Sequence, residues 1–451
     1  MTSPEHTAIP LTATAPSPLS GRFATPGDKA ISHRALILAG LAVGQSTING
    51  LLEADDVQAT AAALRQLGVT IVKQGDAYIV SGLGVRGLGQ PAGELDLGNS
   101  GTGVRLLMGL LAPYDFATSF TGDSTLTRRP MRPLLDALRA IGTKVTSAEG
   151  DRLPLTLEGP AMARPIHHIS VTPSEQLKSA LLLAGLHSPG TTTIVEKVPT
   201  RDHTEKLLAA FGAEIATSVD DAGTATITLA GMPDLRPQHV VVPGDPSSAG
   251  YGIVAALIVR KSDLLVENVL INPTRTGLID TLLEMGGDIQ FINQRETGGD
   301  IVADLRVRSS RMKGVTVSAE HAALMLDDIP TLAVAAAFAE GPTLIEGLAE
   351  LREQECDRLA ATLAGLKANG VDCALRGDAL SITGTGKVTG GGMAQSFGDH
   401  RIAMSFLVLG LGAKKGASVD DSVPISASFP HFAATLAALG AQFDPAEKGQ
   451  P

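Results

Sequence analysis

The sequence predicts an α/β protein made of six repeats that form two similar domains. Six segments begin with small or acidic residues and continue into an Ala/Leu-rich helical run, at steps of 70, 75, 72, 81 and 72 residues. These steps are measured between the markers Lys29, Asn99, Ser174, Pro246, Asp327 and Asp399. A nearly constant step indicates a structural repeat, since chance similarity between Ala-rich helices does not fix their spacing.

Each repeat contains a second helical pattern that ends in glycine and leads into a β-rich stretch. We expect a left-handed helix end at each of these glycines, which are Gly68, Gly142, Gly212, Gly286, Gly370 and Gly440. Stretches rich in Val, Ile and Thr lie between the two helices and are typical of strands. The repeat is therefore predicted to be β-α-β-α-β-β.

The six repeats divide into two sets of three. The tripeptide Pro-Gly-Asp occurs at residues 26–28 and again at 243–245, at the start of each set. We predict one domain over 24–242 and a second over 243–451, with the N-terminal segment 1–23 packing with the second. Ligand sites commonly lie between domains, so we expect the site in a cleft between the two halves.

Composition excludes several classes of protein. The 451 residues carry a formal charge of −11, which disfavours a general nucleic-acid binder. Two cysteines cannot form a disulfide framework or by themselves hold a structural zinc ion. No apolar run reaches about 18 residues, and the start lacks the basic and apolar regions of a secretory signal. We therefore expect a cytoplasmic protein without membrane spans.

Basic residues concentrate near the predicted helix starts, where backbone N–H groups favour anions. They are Lys29, Arg34, Arg105, Arg128, Arg129, Lys178, Arg201, Arg275, Arg358, His400 and Arg401. In an acidic chain this concentration predicts a small polyanionic ligand. The alternative for each single residue is an ion pair with a neighbouring carboxylate.

The motifs PGDKAISHRALILAGL, GNSGTGVRLLMGL, GDSTLTRRPM, PTRDHTEKLL, NPTRTGLI and DHRIAMSF occur in this order along the chain. Together they resemble the 5-enolpyruvylshikimate-3-phosphate synthase family, closest to the class that includes glyphosate-insensitive bacterial enzymes. The resemblance implies the enolpyruvyl transferase fold, an inside-out barrel of two three-repeat domains. It also implies transfer of the carboxyvinyl group of phosphoenolpyruvate to the 5-hydroxyl of shikimate 3-phosphate, with no metal or organic cofactor.

The resemblance also assigns roles to individual residues. Those implied to bind phosphoenolpyruvate are Lys29, Asn99, Gly101, Arg129, Gln176, Arg358 and Arg401. Those implied to contact the acceptor are Lys29, Arg34, Ser174, Gln176, Arg201 and Asp327. Proton transfer is implied for Lys29, Asp327 and Glu355, because addition and elimination need proton carriers on two sides of the reacting carbon.

Three positions depart from the acceptor-site pattern of the family. The chain has Ala30 where the family has Ser, Glu175 where it has Ala or Ser, and Gln354 where it has Lys. Each change disfavours an anionic acceptor, by about 1–3 kcal/mol. The alternatives are therefore a different hydroxyl acceptor, or a catalytically weak relative that binds phosphoenolpyruvate.

Three further expectations follow from the resemblance. Glyphosate-insensitive members have a side chain at the position of Gly101, so glycine here predicts inhibition by glyphosate. The related enzyme that acts on UDP-N-acetylglucosamine has a reactive cysteine in the loop that corresponds to residues 121–132. This chain has no cysteine there, so we do not expect UDP-N-acetylglucosamine to be the acceptor. Family members are commonly monomers, and we expect a monomer here.

Overall fold

The computed structural model describes residues 7–297 and 299–446. Residues 1–6 of the predicted N-terminal segment and 447–451 of the predicted second domain lie outside this description. The helices are α1 Lys29–Leu41, α2 Asp55–Gln66, α3 Gly101–Leu111, α4 Arg132–Ala140, α5 Glu175–Gly185, α6 His203–Ala210, α7 Pro246–Ile258, α8 Gly277–Glu284, α9 Ala319–Ala323, α10 Ile329–Phe338, α11 Arg358–Ala368, α12 His400–Gly412 and α13 Phe432–Ala438.

The strands alternate with these helices along the chain. They are β1 Leu11–Thr14, β2 Ser20–Ala24, β3 Gly44–Asn49, β4 Thr70–Gln74, β5 Ala77–Gly82, β6 Leu95–Asp96, β7 Ala117–Thr121, β8 Lys144–Ala148, β9 Arg152–Glu158, β10 His167–Ser170, β11 Thr191–Glu196, β12 Ile215–Val219, β13 Ala225–Ala230, β14 His239–Val241, β15 Asp263–Leu270, β16 Asp288–Thr297, β17 Asp300–Arg308, β18 Thr316–Val317, β19 Glu340–Ile345, β20 Asp372–Arg376, β21 Ala379–Thr385, β22 Met393–Ala394, β23 Ala417–Val419 and β24 Gln442–Pro445. The predicted α/β class is confirmed.

The described strands form six sheets of four strands each. In the sheet β6-β7-β9-β8, the first two strands are parallel and the other neighbours are antiparallel. The chain between them runs β6-α3-β7-α4-β8-β9, which is the predicted β-α-β-α-β-β repeat. Sheets β10-β11-β13-β12 and β18-β19-β21-β20 have the same order. Within the described residues no sheet closes into a barrel.

The other three sheets are completed by strands that are distant in sequence. Strand β14 is the first strand of the sheet β14-β3-β5-β4, and β2 pairs with β15 in the sheet β16-β17-β15-β2. Strand β1 lies between β23 and β24 and pairs antiparallel with both. The repeats are therefore not all contiguous, because the strands that precede α1 and α7 in sequence belong to each other's sheets.

The chain divides into two compact units. The N-terminal unit consists of Gly27–Val242 with the described residues Thr297 and Gly299. The described part of the C-terminal unit consists of residues 7–26, Pro243–Glu296 and 300–446. The domain boundaries predicted at residues 24 and 243 stay a prediction. None of the helices in the described ranges is long and apolar enough to span a membrane.

In each unit the core is formed by buried helices, one from each repeat. In the C-terminal unit every residue of α7 and α10 is buried, and Thr331 of α10 hydrogen-bonds Ser405 of α12 at 3.0 Å. In the N-terminal unit α3 and α5 approach closely at Gly109, where an added Cβ would overlap the backbone carbonyl of Ala180. Small residues therefore allow these helices to pack backbone against backbone.

The second helix of each repeat ends as predicted. Positive φ angles of 78° to 113° are found at Gly68, Gly142, Gly212, Gly286, Gly370 and Gly440. Only glycine adopts this region without strain, so each of these residues turns the chain from a helix into the following strand.

A buried ion cluster stabilises the third repeat. Nζ of Lys178 in α5 lies 3.0 Å from Glu196 of β11 and 2.8 Å from Glu205 of α6, and the Lys178 side chain is 1% exposed. Burial by itself lowers the pKa of Lys178, but the charges of Glu205 and Glu196 raise it by more than burial lowers it. The pKa therefore lies above its ordinary value and the ammonium stays charged. The cluster therefore joins two helices and a strand through one cation.

We expect Lys178→Met to lower the free energy of unfolding by about 3–5 kcal/mol, because two buried carboxylates lose their counterion. Urea denaturation monitored by circular dichroism measures the change. The matched control is Lys144→Met, which removes an exposed ion pair with Glu158 and should cost less than about 1 kcal/mol. Equal effects of the two variants would contradict the role of Lys178.

Candidate functional site

Side-chain caps fix the helix starts at which the sequence predicts anion binding. Asp28, Ser100, Ser174, Asp245 and Asp399 each accept a hydrogen bond from a backbone N–H in the first turn, at 2.8–3.3 Å. Such caps satisfy donors that would otherwise lack a partner at the helix start. Ser174, an implied acceptor contact, is therefore the N-cap of α5.

The start of α3 collects several of the implied phosphoenolpyruvate residues. A Cβ atom built on Gly101 would lie 3.0 Å from Cζ of Arg129, so the guanidinium packs directly on this glycine. Nη1 of Arg105 donates to the carbonyl of Gly101 at 3.1 Å, and Gln176 donates to Thr102 Oγ1 at 3.1 Å. The structure therefore brings Gly101, Arg129 and Gln176 to one place.

Asn99 lies in the turn that precedes α3. Its Oδ1 atom is buried and has no hydrogen-bond partner among the described residues. A buried polar atom without a partner is costly, and a ligand that donates a hydrogen bond would remove that cost. This observation supports a ligand position beside the α3 start.

Two more implied residues lie at helix starts of the N-terminal unit. Lys29 is the first residue of α1, and its Nζ forms an ion pair with Asp56 in the first turn of α2. Arg201 is partly buried in the segment between β11 and α6. The pairing with Asp56 orients Lys29 and was not anticipated from the sequence.

Arg34 differs most from its predicted environment. The residue is 2% exposed. Its guanidinium donates to four groups: Nε to Thr204 at 2.7 Å, Nη1 to the Ala30 carbonyl at 2.9 Å, and Nη2 to Glu175 at 2.6 Å and to Ser179 at 2.7 Å. Its role as an acceptor contact stays a prediction.

In the C-terminal unit one arginine contacts Asp327 and Glu355, two of the three implied proton carriers. Nη1 of Arg358 lies 3.5 Å from Asp327, Nη2 donates to Glu355, and Nε donates to Asp399 at 2.9 Å. Burial lowers the pKa of Arg358, but the charges of Asp399 and Glu355 raise it above its ordinary value. The guanidinium therefore stays charged and presents each Nη group to a different carboxylate.

Arg358 contacts Oδ1 of Asp327, and Arg401 contacts the second carboxylate oxygen of the same residue. Nη2 of Arg401 is 3.6 Å from Asp327 Oδ2, and its Nη1 is 3.7 Å from Asp328 Oδ1. Asp328 is buried, and burial raises the pKa of its carboxyl despite the charge of Arg401. Asp328 occupies the N-cap position of α10 without a side-chain cap hydrogen bond, while Asp327 is partly exposed.

Other basic residues near the helix starts have structural partners. Lys178 is buried in the cluster described above, and Arg275 pairs with Asp245 at 3.0 Å while 4% exposed. Arg128 is exposed, whereas the adjacent Arg129 is buried. For Lys178 and Arg275 the structure therefore shows the ion-pair alternative, and Arg34 and Arg358 are also paired with carboxylates.

The three residues that depart from the family pattern, Ala30, Glu175 and Gln354, each make a hydrogen bond within the protein. The carbonyl of Ala30 accepts from Arg34, and Glu175 forms the ion pair with Arg34. Gln354 is partly buried and donates to the Glu350 carbonyl at 3.4 Å. The acidic group that Glu175 adds is thus compensated within the protein.

The two cysteines do not have the surroundings of reactive thiols. Burial and the charge of Asp399 raise the pKa of Cys356, and burial raises the pKa of Cys373. A protonated thiol is a poor nucleophile. Over residues 7–297 and 299–446, no group of three or more His, Cys, Asp or Glu side chains is arranged to hold a metal ion.

Comparison with known proteins identifies the family of this chain. Residues 13–436 match the model of the EPSP synthase (3-phosphoshikimate 1-carboxyvinyltransferase) family. The 3-phosphoshikimate 1-carboxyvinyltransferase of Methylorubrum extorquens is 52% identical over 440 residues, which cover 96% of this chain and 97% of that protein.

Solved structures agree with this assignment. An EPSP synthase from Acinetobacter baumannii superposes with a TM-score of 0.84 at 36% identity, covering 96% of this chain and all of that one. The enolpyruvyl transferase NikO from Streptomyces tendae shares the fold, with a TM-score of 0.72 at 19% identity over 97% of this chain and 99% of its own. Because the family model covers most of the sequence and the relatives match end to end, this chain belongs to the EPSP synthase family.

Proposed function

We propose that this protein transfers the carboxyvinyl group of phosphoenolpyruvate to the 5-hydroxyl of shikimate 3-phosphate and releases phosphate. The reaction proceeds by addition and elimination. The hydroxyl oxygen attacks C2 while C3 gains a proton, and the C3 proton and the phosphate leave in the second step. Each step therefore needs a group that holds or releases a proton.

One observation supports this proposal most directly: Asp327 and Glu355 contact the two Nη groups of the same arginine, Arg358. Arg358 is held through Nε by Asp399, so its position does not depend on the charge of either proton carrier. In the proposed reaction Asp327 accepts the proton of the attacking hydroxyl, and Glu355 delivers a proton to the methylene carbon. A positively charged group between them stabilises either carboxylate whenever it is ionised.

The donor phosphoenolpyruvate carries a carboxylate and a phosphate, and arginine recognises both groups with paired hydrogen bonds. From the family resemblance we assign it Lys29, Asn99, Gly101, Arg129, Gln176, Arg358 and Arg401. The packing of Arg129 on Gly101 and the buried Oδ1 of Asn99 support this assignment. We also assign Lys29 the role of stabilising the departing phosphate.

The acceptor is assigned Lys29, Arg34, Ser174, Gln176, Arg201 and Asp327. Among these, Ser174 and Gln176 are partly buried at the start of α5, and Arg201 lies just before α6. We also propose, from the family resemblance, a cytoplasmic monomer without nucleic-acid or membrane partners. The net charge of −11 supports the exclusion of nucleic acid.

Phosphate release from phosphoenolpyruvate tests the proposed function. With purified protein we expect release that requires shikimate 3-phosphate, and formation of the enolpyruvyl product by mass spectrometry. Dependence on another hydroxyl compound, or phosphoenolpyruvate binding without turnover, would overturn the assignment of the acceptor.

The same assay separates the proton carrier from its acidic neighbours. We expect Glu355→Gln to lower kcat by about 10²–10⁴-fold, because the amide cannot deliver a proton. The matched control is Glu353→Gln, an exposed position two residues earlier, which should leave kcat unchanged. A normal kcat in Glu355→Gln would remove Glu355 from the mechanism.

Gly101→Ala is expected to raise the KM for phosphoenolpyruvate by about 10–100-fold, since the added methyl group displaces the Arg129 guanidinium and a charged hydrogen bond contributes about 1.5–3 kcal/mol. The control is Gly93→Ala in the same unit, where an added Cβ meets no atom within 4 Å. Steady-state kinetics at saturating shikimate 3-phosphate measure both variants.

Glyphosate inhibition provides a second readout of the same position. We expect competitive inhibition against phosphoenolpyruvate in the natural protein and weaker inhibition in Gly101→Ala. An unchanged KM in the variant, or a natural protein that glyphosate does not inhibit, would show that Gly101 does not limit the size of the donor site. Membership of the glyphosate-insensitive class stays a prediction.

A further inference from the structure

Glu175 occupies a position between two proposed acceptor contacts, Ser174 and Gln176. It is the first residue of α5, and its Oε2 atom lies 2.6 Å from Nη2 of Arg34 in α1. The Arg34 side chain is 2% exposed and the Glu175 side chain is 17% exposed. Glu175 is therefore the more exposed member of this ion pair.

The other partners of Arg34 do not neutralise its charge. Ser179, Thr204 and the Ala30 carbonyl accept hydrogen bonds but carry no net charge. Ser179 and Glu175 together use both protons of Nη2, and four of the five guanidinium protons have partners in all. Glu175 is thus the carboxylate that pairs directly with this buried cation.

We propose that Glu175 is a specificity-determining residue that competes with an anionic group of the acceptor for Nη2 of Arg34. This inference rests on the proposed function, which assigns Arg34 and its neighbours in α5 to the acceptor. In the natural protein an acceptor anion must displace Glu175 before it can bind Arg34. The carboxylate of Glu175 therefore sets how tightly an anionic acceptor binds.

Removal of Glu175 has two linked consequences. It frees Nη2 for the acceptor, and it leaves the buried charge of Arg34 without a counterion when no acceptor is present. A bound acceptor anion then supplies the missing charge and stabilises the folded state. A pair with a purely structural role would produce only the loss of stability.

Equilibrium binding tests this proposal without requiring turnover. We expect Glu175→Ala to lower the Kd of shikimate 3-phosphate at least tenfold by titration calorimetry, which corresponds to about 1.4 kcal/mol. Glu175→Gln should lower the Kd less, because its amide retains an oxygen that accepts from Arg34. Glu158→Ala, which removes the exposed partner of Lys144, is the matched control and should leave the Kd unchanged.

Unsubstituted shikimate, which has the carboxylate but not the phosphate, identifies the group that Arg34 binds. A tighter Kd for both compounds assigns the carboxylate to Arg34, and a tighter Kd for shikimate 3-phosphate alone assigns the phosphate. Thermal unfolding supplies the second readout: shikimate 3-phosphate should raise the Tm of Glu175→Ala by more than it raises the Tm of the natural protein.

An unchanged or weaker Kd in Glu175→Ala, with a lower Tm that the acceptor does not restore, would overturn the proposal. If Glu175→Ala does not fold, Glu175→Gln decides it by the same measurement. The proposed function fails separately, through the absence of acceptor-dependent phosphate release in the natural protein. Binding of shikimate 3-phosphate alone still tests Glu175 in that case.

Discussion

A cation buried in a protein needs a carboxylate beside it, and this requirement organises the helix starts of both units. Arg34 pairs with Glu175, Lys178 is held between two glutamates, and Arg358 is fixed by Asp399. Each pair joins different secondary-structure elements. Removing one partner leaves a buried charge without its counterion. Within each unit these pairs therefore fix the helices that carry the proposed site residues.

The same requirement shapes the chemistry of the C-terminal unit. Arg358 and Arg401 bring two positive charges to Asp327, while Asp399 anchors Arg358 from behind and Asp328 faces Arg401. The arginines are therefore held in place by the protein's own carboxylates. In the proposed reaction, preorganised charges of this kind stabilise the transition state without reorganisation at the moment of reaction.

Local features of the fold were predictable from the sequence, and the pairing of distant strands was not. The spacing of the repeats and the glycines at their helix ends depend on residues close together in the chain. Segment 1–23, which contains β1 and most of β2, was predicted to pack with the second domain, but a short β-rich segment does not show which sheet edge it reaches. The placement of β14 in the sheet of β3 was not predicted, and half of the sheets draw a strand from elsewhere.

The site shows the same limit at the level of single side chains. The basic residues do lie near helix starts, as predicted. The sequence does not distinguish a cation that faces a ligand from one whose charge is neutralised by a carboxylate of the protein. Arg128 and Arg129 are adjacent, yet only Arg129 packs against Gly101. Glu175 looked unfavourable for an anionic acceptor because its partner, Arg34, lies 141 residues earlier in the chain. Its effect on the acceptor follows from that pairing, since an ion pair within the protein and a contact with a substrate anion draw on the same guanidinium.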